Sequence, residues 1–193
     1  MAWTLLHEIR RKAFHMTIIF VLIFYSIIEK TFSKQIALIS LVFLLLILLI
    51  IEYIRLELNI ELPIVKQLIR AKEATRMSAA IYFLTATIIC LAVFDFRIAL
   101  AALLMTALGD MSAAIIGTKF GETLIFKNKT LVGCLTELVV NLVVGIFLIT
   151  NIYTIIGMAL TATIVETFLS ELEDNLFVPL FSGFVGEIIT LFL

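Results

Sequence analysis

Hydrophobic residues fall in long uninterrupted runs along this chain, separated by short polar stretches, with no apolar–polar alternation. A helix needs ~20 mainly apolar residues to cross a hydrocarbon core, with a usable range of ~17–25. Only helices and closed barrels can satisfy their backbone polar groups inside a bilayer, and continuous runs point to helices. The pattern predicts seven: Ala13–Ile28, Ile36–Ile54, Met77–Phe94, Ile98–Ile116, Leu131–Ile149, Ile152–Leu169 and Leu176–Leu193. The first is short, and the last four contain charges. Glu29 and Lys30 follow the first run without a small-residue cleavage site, so a cleaved signal peptide is not expected.

Composition agrees. Hydrophobic residues make up 63% of the 193 and charged residues 15%, against ~45–50% and ~25% in average soluble domains, and the mean hydropathy is +1.20. The expectation is one integral-membrane domain over residues 1–193, an all-α polytopic bundle. Cys90 and Cys134 are too few for a disulfide scaffold or a four-ligand zinc site, and both lie in apolar runs. The longest extramembrane stretch, about Arg55–Arg76, reads as an amphipathic surface segment broken at Pro63.

Charge placement sets the orientation. With the N-terminus inside, eleven of the fourteen Lys and Arg residues fall on the inner side, leaving Lys30, Lys34 and Arg97 outside. The positive-inside rule therefore predicts a cytoplasmic N-terminus. Ionisable groups within spans cost roughly 2.5–3.5 kcal/mol each at the bilayer centre and usually face polar cavities. Asp110, Glu137, Glu166 and Glu187 are the conspicuous cases. Asp110 sits in a stripe of small residues, Gly109, Ala113 and Gly117, on one helical face, where a second helix or a ligand can approach the backbone. Packing accounts for the stripe but not for the carboxylate, which calls for a cation or a basic partner. Glu137 and Asn141 are four apart and share a face, either as an interhelical hydrogen-bond pair or as part of a site. Glu187 lies too far along the last run to join the others, and structural pairing is expected of it.

Three further clusters load onto the same side. Glu8, Arg11, Lys12 and His15 follow i, i+3, i+4, i+7 spacing at the first boundary, a more ordered mixture than anchoring requires. Glu166, Glu171, Glu173 and Asp174 place four carboxylates in nine residues, suited to salt bridges or a hard divalent cation. Lys129 and Thr130 precede a helix start, where free N–H groups attract anions. No Walker A loop is present. Cations, metal-ligating carboxylates and an anion-binding helix start are the parts needed for phosphoryl transfer.

At these residues the sequence resembles the CTP-dependent lipid-alcohol kinases: dolichol, phytol and farnesol kinases and the yeast-type diacylglycerol kinase. The family's Glu-x-x-Arg-Lys-x-x-His opening is matched by Glu8, Arg11, Lys12 and His15, and its Gly-Asp element by Gly109, Asp110, Ala113, Gly117 and Gly121. The Lys-Ser/Thr-x-Glu-Gly element is similar to Lys129, Thr130 and Gly133, and the Asp-Asn-x-x-x-Pro element to Asp174, Asn175 and Pro179. Val132 stands where the family carries Glu, and Cys134 where a small hydroxyl residue is usual.

The resemblance implies a kinase that transfers the γ-phosphoryl of CTP, with Mg²⁺, to a polyprenol, phytol-type alcohol or diacylglycerol at the cytoplasmic face. Its implied catalytic residues are Asp110, His15 and Lys12. Arg11, Lys12, Arg76, Gly117, Lys119, Gly121, Lys129, Thr130, Gly133 and Asn175 would bind nucleotide. Asp110, Glu171 and Asp174 would hold the metal, and Glu8, Glu73, Glu137, Asn141 and Glu166 would support the site. The expected partners are CTP, a membrane lipid alcohol and the bilayer; no nucleic acid is expected, and a homo-oligomer is left open. The alternatives are a CTP-dependent phospholipid cytidylyltransferase and a small ion-coupled transporter.

Overall fold

The computed structural model describes residues 17–58, 76–126, 129–169 and 174–193. Seven helices follow in chain order: α1 (Thr17–Thr31), α2 (Lys34–Leu56), α3 (Ala79–Val93), α4 (Phe96–Phe120), α5 (Leu131–Leu148), α6 (Ile152–Phe168) and α7 (Asp174–Phe192). Each lies on one of the apolar runs. Between α4 and α5 the chain forms a small antiparallel ladder absent from the expected all-helical pattern. Strand β1 (Leu124–Phe126) pairs with β2 (Lys129–Thr130), Leu124 opposite Thr130 and Phe126 opposite Lys129.

Four helices, α2, α4, α5 and α7, are long and apolar enough to cross a membrane. Two more are apolar but shorter, α3 with 15 residues and α6 with 17. At 1.5 Å per residue these cover only about 22–26 Å, short of a ~30 Å hydrocarbon core. Against the expected runs, α3 is three residues shorter and α6 one.

Several helix starts are written locally. Ser33 accepts a hydrogen bond from Ile36 N, Asp95 from Arg97 N, Thr130 from Gly133 N and Asn151 from Tyr153 N. Each side chain satisfies one of the backbone donors that a helix leaves open at its first turn. The α1–α2, α3–α4 and α5–α6 connections are therefore only a few residues long, and consecutive helices reverse direction.

Helix α4 is central, packing against α1, α3, α5, α6 and α7. Its buried face is built from Ala99, Ala101, Ala102, Ala107, Gly109, Ala113 and Gly117, small side chains that let neighbouring helices come close. Helix α2 packs against α1 and α3 at the periphery. Large apolar side chains such as Phe20, Phe43, Val139, Phe147 and Phe192 point outward. Exposed apolar area on this scale is consistent with a membrane-facing surface.

The two ends of the bundle are pinned differently. At one, Asp95 N donates to Glu187 Oε2 at 3.0 Å, tying the α3–α4 connection to α7; the structural pairing expected of Glu187 is met here. At the other, Glu52 joins α2 to α3. Its carboxylate accepts from Arg55 Nε at 2.9 Å, Arg55 Nη2 at 2.6 Å and Ser78 N at 2.6 Å. Arg55 Nη2 also donates to the Arg76 carbonyl at 2.7 Å.

Candidate functional site

At the Glu52 end of the bundle, β2 and the first turn of α5 meet the last turn of α6. Lys129 Nζ lies 2.5 Å from Glu166 Oε1; the Glu166 side chain is 1% exposed and that of Lys129 25%. Burial works against the charge on Lys129. Glu166 and, at longer range, Asp110 and Glu137 outweigh that penalty and push its pKa above the ordinary 10.5. The ammonium uses one donor on Glu166 and has two more.

Below this pair a polar seam runs between α5 and α6. Cys134 Sγ lies 3.5 Å from Thr167 Oγ1, and deeper in, Asn141 Nδ2 donates to Thr163 Oγ1 at 3.2 Å. On its other side α5 packs against the small-residue stripe of α4. A methyl group at Gly109 would sit 2.6 Å from Asn141 Oδ1 and 3.1 Å from Glu137 Cγ; one at Gly117 would sit 2.8 Å from Thr130 Oγ1 and 3.3 Å from Gly133 Cα. Of the two readings of the stripe, helix approach is what the structure displays. Gly109, Gly117, Gly121 and Gly133 make room around Thr130, Glu137 and Asn141.

Asp110 is buried at 7% exposure beside this crossing, ten residues before the end of α4. It interacts electrostatically with Lys129 and Glu137. Asp174 and Asn175, both buried, open α7, where Asp174 Oδ1 accepts from Asn175 N at 2.7 Å. Among the described residues no three His, Cys, Asp or Glu side chains gather closely enough to hold a metal ion between them.

Besides Asp174 and Asn175 at the start of α7, the sequence-expected residues fall into three groups. Lys129, Thr130, Gly133, Glu137, Asn141, Glu166, Asp110, Gly117 and Gly121 come together around the α4–α5–α6 junction. Two others stand apart: Lys119 is exposed with its ammonium 5.1 Å from the Phe120 ring centroid, and Arg76 is exposed beside the Glu52 joint. Glu8, Arg11, Lys12, His15, Glu73 and Glu171 lie outside the described residues.

The helix start also differs in detail from the open anion site expected there. Thr130 Oγ1 occupies Gly133 N at 3.1 Å, and the Thr123 carbonyl occupies Leu131 N at 2.9 Å. Two first-turn donors are therefore already used, and the charge of Lys129 becomes the main attraction for an anion.

Glu52 is a buried polar residue that charge counting passed over. The available signal was a carboxylate inside the second apolar run with Arg55 three residues later, the spacing of a helical ion pair.

No protein-family model matches the chain, and no curated protein or solved structure shows significant similarity to it.

Proposed function

We propose that this chain is a CTP-dependent kinase that phosphorylates a membrane lipid alcohol, spanning the bilayer seven times with its N-terminus and active site on the cytoplasmic side. The observation that carries this reading is the buried Lys129–Glu166 pair at the start of α5, with the Asp110 carboxylate within its electrostatic reach. A cation and a separate carboxylate, held rigidly at one polar end of an otherwise apolar bundle, suit a reaction in which catalysis is mostly positioning and charge neutralisation. The motif order from Glu8 to Pro179 supports the same reading.

In this reading the two remaining donors of Lys129 hold a phosphoryl oxygen. Glu166 fixes the position of the ammonium and keeps it charged. Asp110 and Asp174 offer hard oxygen donors of the kind Mg²⁺ takes, with substrate phosphates completing the shell. When bound, that ion would offset negative charge on the transferring group. Asp110 otherwise orients the acceptor hydroxyl. By the motif resemblance, Arg11, Lys12 and His15 would supply further cations for the phosphates. The outward-facing apolar side chains suit an acceptor that shares the bilayer with the protein.

The test is direct. Purified protein in lipid nanodiscs, given Mg²⁺ and γ-labelled CTP, should transfer label to one member of a panel of polyprenols, phytol, geranylgeraniol and diacylglycerol, and Asp110→Asn should abolish transfer. Release of pyrophosphate with formation of a cytidine diphosphate lipid would replace this reading with a cytidylyltransferase. Full transfer by Asp110→Asn would remove Asp110 from the site.

A further inference from the structure

Two oxygen atoms deep in the α4–α5–α6 junction have no hydrogen-bond partner among the described residues: Glu137 Oε2 and Asn141 Oδ1. Their residues are 2% and 0% exposed, so bulk water does not compensate them. A buried acceptor left without a donor costs about 1–3 kcal/mol, and more when it carries charge. Asn141 Nδ2 donates to Thr163 Oγ1 on α6 at 3.2 Å. That bond turns Oδ1 back toward α4, where Gly109 offers no side chain to meet it. The two acceptors sit on successive turns of one helix face, a spacing at which side-chain tips meet.

The surroundings are acidic. Asp110 on α4, Glu166 on α6 and the Cys134 thiol on α5 face Glu137 electrostatically, with Lys129 as the cation among them. Lys129 spends its closest contact on Glu166. The Glu137 side chain and the Asn141 amide oxygen both border the space that Gly109 leaves open, whereas Thr163 Oγ1 lies on the other side of the Asn141 amide.

We propose that Glu137 and Asn141 form a buried site for a small monovalent cation, with sodium as the fitting probe. Both donors are hard oxygens, and the only formal charge between them is that of Glu137. The absence of a third clustered acidic, His or Cys ligand among the described residues argues against a divalent ion. The bound ion would satisfy both orphaned acceptors and lock α5 against α4 and α6. This proposal is independent of phosphoryl transfer, since it rests on helix-core atoms below the Lys129–Glu166 pair.

The test compares thermal unfolding of the detergent-solubilised protein in sodium chloride with that in N-methyl-glucamine chloride at matched ionic strength, alongside equilibrium binding of radioactive sodium. The expected result is a saturable rise in Tm, on the order of 5 °C when sodium is in large excess over its Kd, with label displaced by unlabelled sodium. Glu137→Gln and Asn141→Leu should lose both effects while retaining helical circular dichroism. Equal Tm in the two salts and no bound label in the unmodified protein overturn the proposal, whatever the variants do. A Tm that follows pH but ignores sodium overturns it in favour of a protonated Glu137 bonded to Asn141. Sodium stabilisation that survives in both variants places the ion elsewhere and overturns it as well.

Discussion

Lys129 and Glu166 are 37 residues apart and 2.5 Å apart through their side chains, joining the start of α5 to the end of α6. Removing one partner of a largely buried pair weakens the compensation of the other charge, at up to about 3–5 kcal/mol, whereas removing both is far cheaper. Lys129→Met and Glu166→Leu should each destabilise the protein by roughly 3 kcal/mol. The double variant should recover much of that loss. Denaturation of the four proteins in detergent, closed as a double-mutant cycle, measures the coupling.

The same pair sets a pH window. Its neighbours raise the pKa of Lys129 above its ordinary 10.5, so its contribution to stability is fully present below the unfolded-state value and is lost only as pH rises through the folded-state value. The Tm difference between the unmodified protein and Lys129→Met should therefore stay constant between about pH 6 and pH 9. It should shrink only at alkaline pH above 10.5. A difference that disappears near neutrality would mean that Lys129 is not the charged partner.

Gly109 and Gly117 set how closely α4 approaches α5. Gly109→Ala would bring a methyl group to 2.6 Å from Asn141 Oδ1, a side chain already committed to Thr163. Gly117→Ala would press on Thr130 Oγ1 at 2.8 Å and on the Gly133 backbone at 3.3 Å. Overpacking of this kind costs about 1–3 kcal/mol. Gly117→Ala should be the harder to rescue, because backbone cannot move aside. Combining Gly109→Ala with Asn141→Ala should restore part of the lost Tm, and combining Gly117→Ala with Thr130→Ser should not.

Glu52 should prove structural. Glu52→Ala removes the acceptor for Ser78 N and for two Arg55 nitrogens, at about 2–3 kcal/mol. Hydrogen exchange at Ser78 and the first turn of α3 should accelerate while the α5–α6 amides stay protected. Any loss of the proposed lipid-alcohol phosphorylation should then follow the loss of folded protein.

Much of the helical layout was readable from residue order, because an apolar run long enough to bury its own backbone in hydrocarbon has little choice but to be a helix. The caps at Ser33, Asp95, Thr130 and Asn151 were equally local, each a short polar side chain at the boundary of an apolar run. The membership of Glu166, Lys129 and Asp110 in one cluster was legible as sidedness, since charge is expensive elsewhere in such a chain.

Distances could not be read that way. Which cation meets Glu166, whether Gly109 serves a ligand or a helix, and which atoms of Asn141 are left over all depend on how α4, α5 and α6 rotate and approach one another. Those rotations follow from side-chain packing between segments far apart in the chain, to which local periodicity is blind. The pattern of apolar runs likewise said where helices lie but not that α3 and α6 stop at 15 and 17 residues or that β1 and β2 pair before α5. Hydrophobicity acts residue by residue and is written along the chain. The Lys129–Glu166 contact and the orphaned oxygens of Glu137 and Asn141 come into being only when three helices close on the same space.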